Sequence, residues 1–365
     1  EVWMDLGAAA EWAGDLREAR SAFEKSHQLA PHAPQTNWQL GNFYLRSLAA
    51  ESVAAKEQSA LFVKALRGLR AAIFTEPKLR RPAFELAWRV AESRAAQEAS
   101  DVREVFFREL LPAEPNIGIE FLAFLVEKQQ LDGAARAWAH LLSLSQPFAP
   151  SSVLFYFDAL IRAHRAIEVS AAWQALAARF PEQVSQREAD NLLNNASFSR
   201  EPLGGGLDWR MPAVEGVRVN FTREKKNAPF AAQASNARLL ELEFDAKHNP
   251  DFSHVYQFVP VEPQRRYVLS GCVRAEHLSS DSGVRLEVLD AFDASQLFVV
   301  TTQAIGSTIW QCHELRFRTA GETSLLVVRV ARPRSQKLDG RISGRAWVGG
   351  LSLVAESEKA LARDR

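Results

Sequence analysis

Trp3-Met4-Asp5-Leu6-Gly7-Ala8-Ala9-Ala10 is answered 34 positions later by Asn37-Trp38-Gln39-Leu40-Gly41-Asn42-Phe43-Tyr44, so that Leu6, Gly7 and Ala10 map onto Leu40, Gly41 and Tyr44. The first copy runs on through Ala19, Phe23 and Ala30 to Pro31. Small and apolar residues at this spacing mark a helical period, and the proline stands where a helix has to stop. Trp3–Trp12 reads as one helix of a pair, and Ala19, Phe23 and Ala30 line the other. Small residues stand where the helices approach, and large ones fill between turns. In the second copy Ala65, Leu69, Ala72 and Pro77 keep their mutual spacing but arrive 12 residues late, since Pro31 maps to position 65. The excess is assigned to Ser47–Gln58, a stretch rich in Ala, Ser, Glu and Lys.

This order of residues resembles the tetratricopeptide repeat, closely over residues 1–77 and more loosely to about 181. The resemblance implies helix–turn–helix units that bury their apolar faces only by stacking into an α-solenoid, with an inner face that docks a protein. Three further pairs are predicted over Pro82–Leu111, Ile117–Leu144 and Ser152–Phe180, punctuated by Pro112, Pro115, Pro147 and Pro181. Candidate partner-binding residues on the inner face are Asn37, Gln39, Asn42, Tyr44 and Arg46. An asparagine amide offers both donor and acceptor to an extended backbone. The chain opens on Glu1 already inside a unit, which predicts that an N-terminal portion precedes it in the full protein.

Near residue 190 the period changes from 3.6 to 2. Val284, Leu286 and Val288 alternate with Arg285 and Glu287, and Tyr267, Leu269, Gly271 and Val273 alternate with Val268, Ser270, Cys272 and Arg274. Similar runs lie near Leu239–Phe244, Val255–Val261, Gln296–Thr302, Trp310–Arg318, Leu325–Val330 and Ala346–Val354. Short strands separated by turns such as Asn249-Pro250-Asp251 and Asp281-Ser282-Gly283 predict an antiparallel β-sandwich. The expected organisation is therefore α then β: a helical-hairpin solenoid over 1–188, a sandwich over 191–355 and a tail over 356–365.

Asn194-Asn195-Ala196-Ser197-Phe198 followed by Trp209 resembles the opening of galactose-binding-like, jelly-roll carbohydrate-binding modules. Gln257-x-Val259-x-Val261-x-Pro263 with Tyr267-x-Leu269-Ser270-Gly271-x-Val273-Arg274 is similar to their central strands. Trp310…Leu315-x-Phe317 and Trp347-Val348-Gly349-Gly350-Leu351-Ser352-Leu353 are similar to their last ones. The resemblance implies binding of a glycan without cleavage. It also implies a structural calcium, but the positions of its carboxylates are Ser199 and Gly349 here, so no metal is expected. Strand parity lists the face opposite the core as Tyr256, Phe258, Ser270, Arg274, Glu287, Trp310, Glu314 and Arg329. From it Tyr256, Phe258, Arg274, Glu287, Trp310 and Arg329 are taken as candidate glycan contacts, since sugars need aromatic planes and bidentate polar groups. Two other roles stay open for that face: Tyr256 and Phe258 covered by the helical part, and the arginines paired with Glu287 and Glu314. Trp209 and Trp347 are expected to pack in the core or at its rim.

Composition narrows the function classes. Lys and Arg number 44 against 44 Asp and Glu, which removes the electrostatic case for a nucleic-acid partner. No run of about 18 apolar residues spans a membrane. Phosphate loops, nucleotide-binding glycine fingerprints and His-Glu-x-x-His are missing, the eight histidines are scattered, and no cofactor is expected. Gly204-Gly205-Gly206 reads as a flexible link. Cys272 and Cys312 are either two partly buried thiols or one disulfide between neighbouring strands. The expected function is a non-catalytic scaffold in bacterial cell-surface or exported polysaccharide handling, placed in the periplasm or envelope. The alternatives are a purely protein–protein adaptor and, less favoured, a glycan hydrolase using Glu287 and Glu314.

Overall fold

A Cβ on Gly7 would stand 2.9 Å from the Phe23 ring, and one on Gly41 2.9 Å from the Leu69 side chain. The two glycines hold equivalent places in the sequence repeat, and each lets one helix of a pair lie close against the next. In the computed structural model, which describes residues 1–48, 55–96, 102–184, 190–223, 228–230, 237–338 and 340–356, these pairs are α1 (Val2–Trp12) with α2 (Leu16–Leu29) and α3 (Pro34–Ser47) with α4 (Ala55–Thr75). They are followed by α5 (Arg80–Ala95) with α6 (Val102–Leu110), α7 (Pro115–Glu127) with α8 (Leu131–Ser143), and α9 (Leu154–Arg162) with α10 (Ala166–Arg179). The local rules are visible at the ends. The Asp15 carboxylate accepts the Arg17 and Glu18 N–H groups to cap α2, while Pro34 and Pro115 open α3 and α7, where a missing N–H costs nothing. Part of the Ser47–Gln58 excess, residues 49–54, lies outside the described residues, as do 185–189 at the predicted boundary and 357–365 of the predicted tail.

The chain divides into two compact units, Glu1–Ala149 and Pro150–Arg365. The first is helical. Its centre is an aromatic cluster in which Trp88 meets Phe106 and Phe121 edge-on, with ring centroids 5.2 and 5.6 Å apart. The second unit holds α9, α10 and all the described strands, so compactness parts the chain about forty residues before the hydrophobic period changes.

The strands are β1 (Val217–Thr222), β2 (Leu239–Asp245), β3 (Phe252–Pro260), β4 (Arg266–Glu276), β5 (Arg285–Asp290), β6 (Phe298–Val300), β7 (Gln311–Arg318), β8 (Leu325–Arg332) and β9 (Ser343–Ala355). They form two antiparallel sheets, one of five strands in the order β1-β2-β9-β4-β7 and one of four in the order β3-β8-β5-β6. Strand β1 goes beyond the alternating runs read from the sequence. Its Val217, Val219 and Phe221 sit opposite Phe244, Leu242 and Leu240 of β2.

Alternate residues fill the space between the sheets. Leu240, Leu242, Leu269, Val273, Ala346 and Val348 from one sheet meet Val255, Val259, Leu286, Val288, Val328 and Val330 from the other. The Asn-rich opening is part of this core. Asn191 accepts from the Leu193 and Leu353 N–H groups and donates to the Leu351 carbonyl. The fully buried Gln257 pairs with both backbone groups of Asn194 at 2.8 Å. Trp209, packed 5.2 Å from Phe198, donates to the Asn195 carbonyl. Each of these buried side chains makes hydrogen bonds, as burial demands.

Candidate functional site

The register separates the predicted glycan face into two surfaces. Tyr256 on β3 pairs with Arg329 on β8, and Arg329 with Glu287 on β5, so these residues and Phe258 lie outside the four-stranded sheet. Arg274 on β4 pairs with Trp347 on β9, and continuing the Val273–Gln311 register sets Trp310 beside Arg274, outside the five-stranded sheet. Parity told in from out within each strand correctly, but not which sheet a strand joins. Tyr256, Phe258, Glu287 and Arg329 therefore do not share a site with Arg274 and Trp310. For the same reason Glu287 and Glu314 are no catalytic pair: they stand on different sheets.

The outside of the four-stranded sheet is taken up internally. Glu287, only 2% exposed, accepts from Arg285 at 2.7 Å and from Arg329 at 2.6 Å. The Arg210 guanidinium lies 4.7 Å from the Phe258 ring centroid and 5.8 Å from that of Tyr256. It is held there by Asp158 of α9 and by the Gly206 carbonyl at 2.7 Å. Residue 210 also bridges the edge of β3, exchanging backbone hydrogen bonds with Tyr256 at 2.8 and 3.1 Å. His164, between α9 and α10, stacks on Phe292 with centroids 3.6 Å apart.

The glycine run is a packing seat, not a flexible link. Gly205 lies against Leu154, and Gly206, at φ +59°, lies against the Trp173 ring with no room for a side chain. In the same turn Asp208 accepts the Leu203 and Trp209 N–H groups at 2.9 and 2.8 Å. Burial nevertheless pushes its carboxyl up to about 6, against the pull of those bonds and of Arg200 and Arg210.

The outside of the five-stranded sheet is different. One row across β1, β2, β9 and β4 reads Arg218, Glu243, Arg345, Glu276, and the next reads Asn220, Glu241, Trp347, Arg274. Arg218 and Arg345 both bond Glu243, at 3.0 and 3.2 Å, and Arg274 bonds Glu276 at 3.2 Å. The Arg274 guanidinium is stacked 4.6 Å over the Trp347 ring. Phe230 meets Trp310 edge-on at 5.2 Å and covers Gly349 and Gly350, where a Cβ would come within 2.7 and 2.9 Å of its ring. Across β1, β2, β9 and β4, with Trp310 and Phe230 beside them, this face thus gathers two tryptophans, a phenylalanine, three arginines and three carboxylates, and β7 adds the Arg316–Glu314 pair. Glu241, Glu243, Arg345 and Phe230 were not among the predicted contacts. The first two follow from Leu240, Leu242 and Phe244 pointing inward; Phe230 carried no such signal.

Cys272 and Cys312 face each other across β4 and β7 and form a disulfide, so the reading as two free thiols is corrected. Trp347, expected in the core or at its rim, faces out of the five-stranded sheet yet is largely covered by Arg274.

In the helical unit the predicted partner contacts prove mostly internal. Asn37 is buried and donates to the Pro31 carbonyl at 2.9 Å, and Asn42 is also buried. The buried Tyr44 hydroxyl donates to Glu24 at 2.6 Å, and burial and that carboxylate raise its pKa. Tyr44 thus reaches across to α2, which a single helix's pattern does not reveal, and Asn37 turns back onto the loop before its own helix. Gln39 is half-buried, and Arg46 is exposed but held by both Glu11 oxygens at 2.6 and 2.7 Å.

A cleft of about 1150 Å³ lies between α10 and the ends of β3 and β9, lined by Ala166, Ile167, Pro260, Val261, Tyr267 and Val354 among others. Its aromatic ring, Tyr267, is spoken for: the hydroxyl accepts the Glu262 N–H at 2.8 Å. Among the described residues no group of three or more His, Cys, Asp or Glu converges as a metal site, and no helix is long and apolar enough to cross a membrane.

No protein-family model matches the chain, and no curated protein matches it. Among solved structures, a CBM4 structure aligns over 45% of this chain and 99% of its own, at 10% identity and a TM-score of 0.32. A family 16 carbohydrate-binding module aligns over 45% and 99%, at 17% identity and a TM-score of 0.29. The enzymatically active domain of bacteriophage CBA120 tailspike protein 4 aligns over 46% of this chain but only 22% of its own, at 11% identity and a TM-score of 0.32.

Proposed function

We propose that this chain is a non-catalytic scaffold whose sandwich holds a glycan on the outside of the five-stranded sheet and whose helical half docks a protein partner. The observation that carries it is the row of Trp310, Arg274 and Trp347 beside Glu241 and Arg345 on one open face, the mixture of aromatic surface and bidentate donors that sugar recognition uses. Binding without cleavage is favoured because Glu241, Glu243 and Glu276 are each engaged by an arginine. The helical half is assigned a docking role from its repeat resemblance, through exposed side chains other than Asn37, Asn42 and Tyr44. A disulfide between Cys272 and Cys312 suits an oxidising compartment, which supports a place in a bacterial periplasm or envelope and a role in polysaccharide handling.

Retention of the full chain in native gels cast with polysaccharides tests this reading. Trp310→Ala should weaken retention, and a Tyr256→Ala/Phe258→Ala double variant should leave it intact. The reverse pattern would move the site to the other sheet. Loss of a protein partner with no polysaccharide effect in either variant would favour a purely protein–protein adaptor.

A further inference from the structure

We infer that the ligand of the five-stranded face is an acidic glycan whose sugars carry carboxylates, with Arg274 and Arg345 as its main contacts; this rests on the glycan-binding reading above. A neutral pyranose is usually gripped by laying its C–H face on an open aromatic plane. On this face the central plane, that of Trp347, is taken. Trp347 is only 9% exposed, and the Arg274 guanidinium already lies over its ring. Phe230 is spent on the Gly349–Gly350 backbone and the side of Trp310.

Across β1, β2 and β9 the charges are layered rather than mixed. The Glu243 side chain is 31% exposed and the Arg218 that it holds 73%. Glu241 is 16% exposed beside an Arg345 at 54%, 3.9 Å away. The carboxylates sit low and orient the arginines, and the guanidiniums form the outer layer. Two pairs depart from this: Arg274–Glu276, because Arg274 lies down on the tryptophan, and Arg316–Glu314 on β7, whose side chains are 64% and 61% exposed. Each guanidinium has five donors in a planar fork, more than these contacts engage, and the fork matches a carboxylate bidentately. Stacking on Trp347 fixes the plane of Arg274 before any ligand arrives, which lowers the entropy lost on binding.

Affinity electrophoresis of the full chain decides the matter. Gels would carry polygalacturonate, alginate, fully methyl-esterified pectin, dextran or dextran sulfate, with near-UV circular dichroism as the check on folding. Retardation is expected with polygalacturonate or alginate, falling with added salt and vanishing on methyl esterification. Arg345→Ala, at an exposed position, and Arg274→Lys, which keeps the charge but not the fork, should each weaken it on the order of tenfold. Equal retardation by dextran or esterified pectin would overturn the acidic class and leave the glycan reading standing. Retardation by dextran sulfate alone would overturn the carboxylate assignment. No retardation by any polymer, with the fold intact, would remove both.

Discussion

The two outer faces of the sandwich carry similar residue types and use them in opposite ways. Outside the four-stranded sheet, Glu287 draws Arg285 and Arg329 inward, and Arg210 closes over Phe258 and Tyr256 under the hold of Asp158. Outside the five-stranded sheet, Glu241 and Glu243 lie low and hold Arg345 and Arg218 above them, on the solvent side. Aromatics next to charges therefore do not mark a binding face by themselves. What separates the faces is where the carboxylate sits relative to the guanidinium.

The largest expected effect probes the closed face. Glu287→Ala leaves two arginines without their anion in a buried setting and should cost about 3 kcal/mol in urea unfolding. The matching Glu276→Ala on the open face should cost less than about 1 kcal/mol. Equal losses would erase the distinction between the faces.

The edges differ too. β7 is tied to β4 by the disulfide, whereas the edge of β3 is held through residue 210. Changing Cys272 and Cys312 to Ser opens a link between positions 40 residues apart. That should lower stability by about 2–4 kcal/mol, with the same loss seen on adding reductant to the native protein.

A pH-dependent effect also distinguishes the faces. The Asp208 carboxyl, beneath the closed face, is raised from 3.8 to about 6 by burial, so the fold binds this proton more tightly than the unfolded chain does. Its contribution is fully present below about pH 4 and is lost as pH rises through 6, at most about 3 kcal/mol in all. Asp208→Asn should flatten the pH profile of unfolding between 4 and 6. An unchanged slope would show that this carboxyl titrates normally. Trp310→Ala, too, should cost only about 1 kcal/mol of stability, because the ring is half-buried on the open face.

The helix pairs and the change to strands were legible because both rest on local spacing, with Gly7 against Phe23 and Gly41 against Leu69 repeating one contact. Inside and outside were legible strand by strand for the same reason. Sheet membership was not, since it depends on pairings between distant segments: nothing near Glu287 or Arg274 tells that β5 and β4 belong to different layers. The disulfide was hidden likewise, as it follows only from the register of β4 on β7. Asn37, Asn42 and Tyr44 looked like docking residues because their helix was considered without the neighbours that cover them.

The seat of Gly205 on Leu154 and of Gly206 on Trp173 bears on how such a module can be moved between proteins. Anyone grafting the strands onto a new host at the point where the hydrophobic rhythm changes would leave α9 and α10 behind. The transplant would then present Tyr256 and Phe258 bare, with Arg210 robbed of Asp158, and its natural scissors mark is the peptide after Ala149.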